Sequence, residues 1–316
     1  MEIQIKNQSV VPKVNKSSTL VHMKKHLFIY FLVLPGFLYT LVFHYFPIYG
    51  IMIAFKDFKI SKGILGSPWV GFKHFSVLFQ DEYFYKVVFN TVLINFYNFI
   101  FGFTFVIILA LMLNEIRIVA LKRVIQTFVY IPNFLSWVVF AGLVSIFLSP
   151  SEGPISAIMD SLGIEPIYFL TNNDWFRTVL VVSLIIKTAG FGTIIYLASM
   201  SGINPELYES AMVDGANRLR MMWHITLPRI KPTIAVLMIF SVAGIFGSNF
   251  EQVFNLYNPL VMESGDVLST YLYRSGLLEG KLELATALGL IFSCIGLILI
   301  LIMNKIISKM DVTGIF

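Results

Sequence analysis

The chain of 316 residues is 57% hydrophobic and 13% charged, with a mean hydropathy of +0.80. That much apolar surface cannot be hidden in one soluble domain, so composition excludes a soluble protein and points to a polytopic membrane protein. The net charge of +5 does not argue for nucleic acid, because the Lys and Arg residues lie beside the ends of apolar runs, where anionic lipid and topology account for them.

In chain order, residues 1–26 form a polar tail without a signal peptide's apolar core, expected to be cytoplasmic and mobile. Six long apolar runs follow: Leu27 to Phe55, Val87 to Asn114, Val124 to Ser151, Thr178 to Pro205, Pro232 to Phe250 and Leu284 to Asn304. Each is long enough to span, since roughly 20 helical residues cross about 30 Å of hydrocarbon. They predict an all-α membrane protein with six transmembrane helices over residues 27–305. A cytoplasmic C-terminal tail covers 306–316. With both termini inside, the inner segments hold fourteen Lys and Arg and the outer loops eight, the remaining one being Lys187 inside the fourth span. The lone Cys294 lies in the sixth span, which rules out a disulfide framework.

Three outer loops separate the spans. The first, from Lys56 to Lys86, is rich in aromatic and turn residues and reads as ordered; the second, Ser151 to Arg177, reads as turns with a short surface helix. His44 in the first span reads as a structural histidine. Gly190, Gly192, Ser199 and Ser201 in the fourth span, with Gly244 and Gly247 in the fifth, are small residues that let helices approach closely. Near the start of the third outer loop, Asn249, Glu251, Gln252, Asn255, Tyr257 and Asn258 gather amides, an acid and an aromatic ring. Such a set can bind sugar hydroxyls, or can simply be a polar cap at the membrane surface. Lys187, near mid-membrane, is expected to line the translocation path or its gate, the alternative being a structural pair with a carbonyl or another subunit.

The segment 204–232 is a charged island between two apolar runs. Asn204 is a good N-cap, Pro205 fits the first helical position, and Glu206 and Glu209 favour the positive helix end. Gly215, after Asp214, is the natural stop, so a short helix is predicted over about ten residues, roughly 15 Å long. Leu207, Tyr208, Ala211 and Met212 fall on one of its faces. A second helical stretch carries Leu219, Met222, Trp223 and Thr226 and is expected to end at Pro228.

Glu209-Ser-Ala211, Asp214-Gly215-Ala216 and Ile225-Thr-Leu227-Pro228 together resemble the EAA signature of permease subunits of binding-protein-dependent ABC importers. Ser210 stands where that signature usually has Ala. Outside this loop, Ile51-Ala-Phe-Lys-Asp-Phe, Trp69-Val-Gly-Phe, Tyr130-Ile-Pro-Asn-Phe-Leu-Ser-Trp137 and Phe250-Glu-Gln-Val-Phe-Asn-Leu-Tyr-Asn-Pro259 resemble polysaccharide-type sugar permeases of Gram-positive bacteria.

The resemblance implies a type I importer permease fold in the plasma membrane and import of an oligosaccharide or polysaccharide fragment. The implied partners are a second permease subunit, expected as a different chain, two cytoplasmic ATPases and an extracellular lipid-anchored solute-binding protein. It also implies that the 205–214 helix seats in an ATPase cleft, with Glu209 facing a basic residue there. The chain has no GxxxxGK[ST] phosphate loop, so ATP and Mg are expected on the partners and no cofactor on this chain. No HExxH, paired CxxC or GxSxG motif points to catalysis. A six-span secondary transporter or channel is the other reading; it would want intramembrane acids for ion coupling, and the spans hold only Lys187.

Overall fold

The computed structural model describes residues 26–244 and 249–308; all but the last residue of the expected N-terminal tail, Gly247 and most of the C-terminal tail fall outside it. The chain divides into a unit ending at Met52 and a unit beginning at Ile53. The first holds α1, Leu27–Thr40, which passes through a wide π turn, Leu41–Tyr45, into a narrow 3-10 run. Pro35 lies inside α1, and Thr40 returns a hydrogen bond to the Gly36 carbonyl. Its apolar side chains, Phe28 and Phe31 among them, are exposed, which suits a helix bathed in hydrocarbon.

The second unit is a helical bundle. α2, Glu82–Tyr97, and α3, Thr104–Glu115, form one continuous rod joined by a π turn, Asn98–Phe103. Next come α4, Val119–Phe134, α5, Trp137–Phe147, and the long α6, Asn173–Ser201. α7 is Glu206–Val213 and α8 is Lys231–Ala243. α9, Phe250–Leu256, and α10, Leu282–Ser308, complete it. Among the described residues the only β pairing is an isolated bridge between Lys56 and Trp69.

Among the described residues five helices are long and apolar enough to span, and the third expected span is a pair, α4 and α5, bent by 109°. The continuous run Val124 to Ser151 is therefore broken. Leu135 and Ser136 leave the helical region, and the Ser136 hydroxyl accepts the Val139 N–H to start α5 afresh. The fifth span also differs from expectation: α8 stops at Ala243, and Phe250 opens a separate helix after Asn249, whose φ is +81°. Asparagine tolerates that left-handed conformation better than most residues.

Pro228 does not end the second stretch of the 204–232 segment. The chain winds through Arg218–Met221, a π turn at Met222–Thr226 and Leu227–Arg229 into α8, with Ile230 as the only turn residue. The π turn already displaces the hydrogen-bond ladder just ahead of the proline, which absorbs the missing N–H.

The three loops expected on the outer side are ordered by buried polar groups. The Lys56 ammonium donates to the Ile64 and Leu65 carbonyls, and His74 Nε2 bonds the Lys56 carbonyl at 3.0 Å. A short helix, Pro154–Ser161, occupies the second loop as expected. In the third, Asp266 is fully buried and accepts from Tyr83, Thr270 and Arg274. Asn90 on α2 donates to the Glu263 and Asp266 carbonyls and accepts from Arg177 of α6 at 2.9 Å. Burial opposes the Arg274 charge, but its hydrogen bond and attraction to Asp266 prevail and raise its pKa.

Asp266→Ala is expected to strip three donors at once and leave a largely buried guanidinium unpaired. Removing one partner of a buried pair costs about 3–5 kcal/mol. The purified variant should unfold markedly below wild type in a thermal melt, and an unchanged melt would refute the fastening role of Asp266.

Candidate functional site: a docking helix and an intramembrane cavity

α7 has the ends that local chemistry dictates. The Asn204 carboxamide oxygen accepts the Glu206 N–H at 3.1 Å, capping the first turn, and its amide donates to the Glu206 carboxylate. At the other end Gly215 has φ +76°, the Ala216 N–H reaches the Ala211 carbonyl at 2.9 Å and the Gly215 N–H reaches Met212 at 3.1 Å. That pair of bonds is a Schellman closure, and the left-handed residue within it favours glycine.

The helix is anchored on one side and bare on the other. Leu207, Tyr208 and Ala211 are half-buried, and the Tyr208 hydroxyl bonds the buried Thr226 hydroxyl at 2.9 Å. Ile203 and Leu227 pack on a core cluster of Ala110, Tyr196, Met200 and Ile230. Ala216 is half-buried too, while Pro205, Asp214 and Pro228 are exposed. Met212 departs from the expected inner stripe: it is 52% exposed, and Val213 is 88% exposed. With Glu206 and Glu209 they make an outward face of two acids and two apolar side chains. Among the described residues the Glu209 carboxylate has no ion-pair partner.

α6 runs from the outer loops to this helix, about 43 Å at 1.5 Å per residue. Along its middle, with the α2–α3 rod and α8, it borders a half-open cavity of about 490 Å³. The polar residues on its wall are Asn95, Asn98, Thr188, Tyr196, Ser241 and Asn249, and Phe99, Phe103 and Phe240 supply aromatic surface. Both polar atoms of the Asn98 carboxamide are buried and lack a partner among the described residues. A buried amide left open is costly unless something else satisfies it. Asn98 begins the π turn Asn98–Phe103, and such turns recur at functional sites.

The polar cluster expected at 249–258 is dispersed. Asn249 faces the cavity and donates to Asn95 at 3.0 Å. Gln252 is fully buried elsewhere, donating to the Ser183 hydroxyl and the Leu180 carbonyl of α6. Glu251 is exposed, Asn255 bonds back to its own helix, and Asn258 donates to the Leu170 carbonyl at 2.8 Å.

Lys187 is buried, and it is not among the residues lining the cavity. Its ammonium donates to the carbonyls of Pro132, Asn133 and Leu135, where α4 breaks into α5, and lies 5.1 Å from the Trp137 ring centroid. Sequence reasoning passed over Asn95 and Asn98, although their spacing of three residues in a charge-free span puts both on one helix face.

Comparison with known proteins identifies the family. The permease protein YteP of a polygalacturonan/rhamnogalacturonan transport system in Bacillus subtilis is 40% identical over 97% of this chain and 96% of its own length. LplB of the same organism is 40% identical over 95% of this chain and 94% of its own. A crystal structure of a bacterial ABC transporter that imports the acidic polysaccharide alginate superposes with a TM-score of 0.86 at 41% identity, covering 92% of this chain and 99% of the matched one. Residues 102–312, which include α7 and most of the cavity wall, match the family described as binding-protein-dependent transport system inner membrane component, and the chain belongs to that family.

Proposed function

We propose that the chain is the permease subunit of an ABC importer for an oligosaccharide or polysaccharide fragment. An extracellular lipid-anchored solute-binding protein delivers the sugar to it and a second, different permease subunit. Two cytoplasmic ATPase subunits bind ATP and Mg and drive the cycle, while this chain binds no cofactor and catalyses nothing. The observation that carries this reading is the continuity of α6: the helix that walls the cavity leads within four residues to the bare face of α7. A shift of α7 in an ATPase cleft would therefore move a wall of the cavity. Relatives and a solved structure named for polysaccharide uptake support a carbohydrate cargo, and the Bacillus subtilis relatives support the plasma membrane of a Gram-positive bacterium.

The Lys and Arg bias sets both termini and the 204–232 loop on the cytoplasmic side, with residues 27–305 forming the permease domain. A single cysteine at Asn217, on a Cys294→Ala background, is then expected to resist an impermeant thiol reagent on intact cells. Labelling there would invert the topology.

Coupling is tested on the same loop. Glu209→Lys reverses a charge on the bare face, and Gly215→Pro forces φ near −65° where the chain holds +76°. Both variants are expected to insert and assemble, with substrate-stimulated ATP hydrolysis falling at least tenfold. Wild-type stimulation in both would defeat the assignment of α7 as the docking helix.

A further inference from the structure

The loop from Lys56 to Lys86 holds five of the eight Lys and Arg residues expected on the outer side, although the charge bias otherwise depletes that side. Two of the five are accounted for within the fold: the Lys56 ammonium is spent on two carbonyls, and Lys86 pairs with Glu263 at 3.1 Å. Lys62 and Lys73 have no ion-pair partner among the described residues, and Lys59 reaches only Asp57, at 4.0 Å. The same stretch exposes Ile60, Leu65, Trp69 and Phe72.

The two rings are fixed in place. Trp69 stacks on Phe55 with centroids 5.6 Å apart, and Phe72 stands at right angles to the same Phe55 ring at 5.4 Å. The Phe55 carbonyl accepts the Val70 and Gly71 N–H groups, the Asp57 N–H donates to Pro68, and the Lys59 N–H donates to the Ser67 hydroxyl at 3.0 Å. Gly71, at φ +62°, then turns the chain into the helix Lys73–Gln80. Trp69 stays 62% exposed and Phe72 72% exposed, and this scaffold gives them no way to fold inward.

Their depth follows from what the loop packs on. The first apolar run ends at Phe55, where the chain leaves the hydrocarbon. The helix Lys73–Gln80 packs on α10, and its Leu78 shares a buried cluster with Leu288 and Phe292 of the sixth span. The loop therefore lies against the flank of the spans, at the level of the membrane surface. Aromatic rings settle there between headgroups and acyl chains, and lysine stems lie on apolar surface while the ammonium reaches the phosphates. Anionic headgroups supply the counter-charge that Lys62 and Lys73 lack in the protein.

We propose that this loop is an interfacial anchor: Trp69 and Phe72 seat in the outer leaflet, and Lys59, Lys62 and Lys73 gather anionic phospholipid headgroups around them. The choice of leaflet rests on the topology proposed above; the depth and the lipid preference do not.

The test uses the purified complex, with cysteine-free partner permease and ATPases, reconstituted in phosphatidylcholine vesicles. Phe72→Cys on a Cys294→Ala background carries an environment-sensitive fluorophore, and Glu165→Cys, at an exposed position of the second outer loop, is the control. A nitroxide near the head of the acyl chain should quench the Phe72 probe at least threefold more than aqueous iodide does, with the order reversed at Glu165. Nitroxide-labelled phosphatidylglycerol should quench the Phe72 probe at least twofold more than nitroxide-labelled phosphatidylcholine. Replacing Lys59, Lys62 and Lys73 together by glutamine should remove that excess. Iodide quenching that exceeds nitroxide quenching at Phe72 places the loop in water and overturns the anchor; if a galacturonan oligosaccharide then shields the probe, the face is a saccharide platform instead. Equal quenching by the two lipids, or an excess that survives the triple variant, overturns the lipid preference. Thiol labelling at Asn217 on intact cells would move the anchor to the other leaflet and leave its depth unchanged, so depth and topology fail separately.

Discussion

Gly190→Ala is expected to push α4 and α6 apart and to lower thermal stability by several degrees. A Cβ built on Gly190 lies 2.6 Å from the Val129 carbonyl carbon, and closer still to its oxygen. The obstacle is backbone inside a helix, so no rotamer change can clear it; the two helices must separate. Overpacking of this kind costs about 1–3 kcal/mol. In a protein of this size each kilocalorie corresponds to roughly 2–4 °C. Gly192→Ala is the control, because its Cβ meets a methyl of the Val106 side chain at 3.0 Å, which a shift of a few tenths of an ångström relieves, instead of a backbone carbonyl. Melting of the purified complex should separate the two variants, with Gly192→Ala close to wild type. A Gly190→Ala protein as stable as wild type would mean that α4 and α6 do not approach this closely.

The sequence revealed α7 well because its ends are local chemistry. Asn204, Pro205 and Gly215 each act within a few residues of themselves, and the structure uses Asn204 and Gly215 through short-range hydrogen bonds. The break between α4 and α5 was hidden for the opposite reason. Hydropathy runs on without pause from Val124 to Phe147, and what satisfies the freed carbonyls is an ammonium more than fifty residues away. The polar cluster after the fifth span was visible as composition but not as geometry. On a helix, Glu251 and Asn255 share a face and point outward, while Gln252, 100° round the axis, is driven into the bundle against Ser183. Asn98 was legible only as an amide in an apolar run; that it lacks a partner is a property of three helices together.

Lys187→Met is expected to cost more than any other substitution in the spans. The lysine lies at the C-terminal end of α4, where its positive charge meets the last carbonyls of the helix, of which Pro132 also accepts the Leu135 N–H. Water in a membrane interior cannot replace it. Each buried group left unsatisfied costs about 1–3 kcal/mol; methionine donates to none of the three, and among the described residues only the Pro132 carbonyl keeps another donor, the Leu135 N–H at 3.3 Å. The Trp137 and Phe140 rings around the ammonium would also lose their cation–π contact. Little intact complex should therefore be recovered from Lys187→Met, while Lys187→Arg, which keeps donors and charge, should assemble to an intermediate level. If the lysine instead serves the path, Lys187→Met should assemble and hydrolyse ATP normally while uptake falls. The two roles are thus separated by measuring assembly, ATPase rate and uptake on one variant. Normal values for all three would remove Lys187 from both.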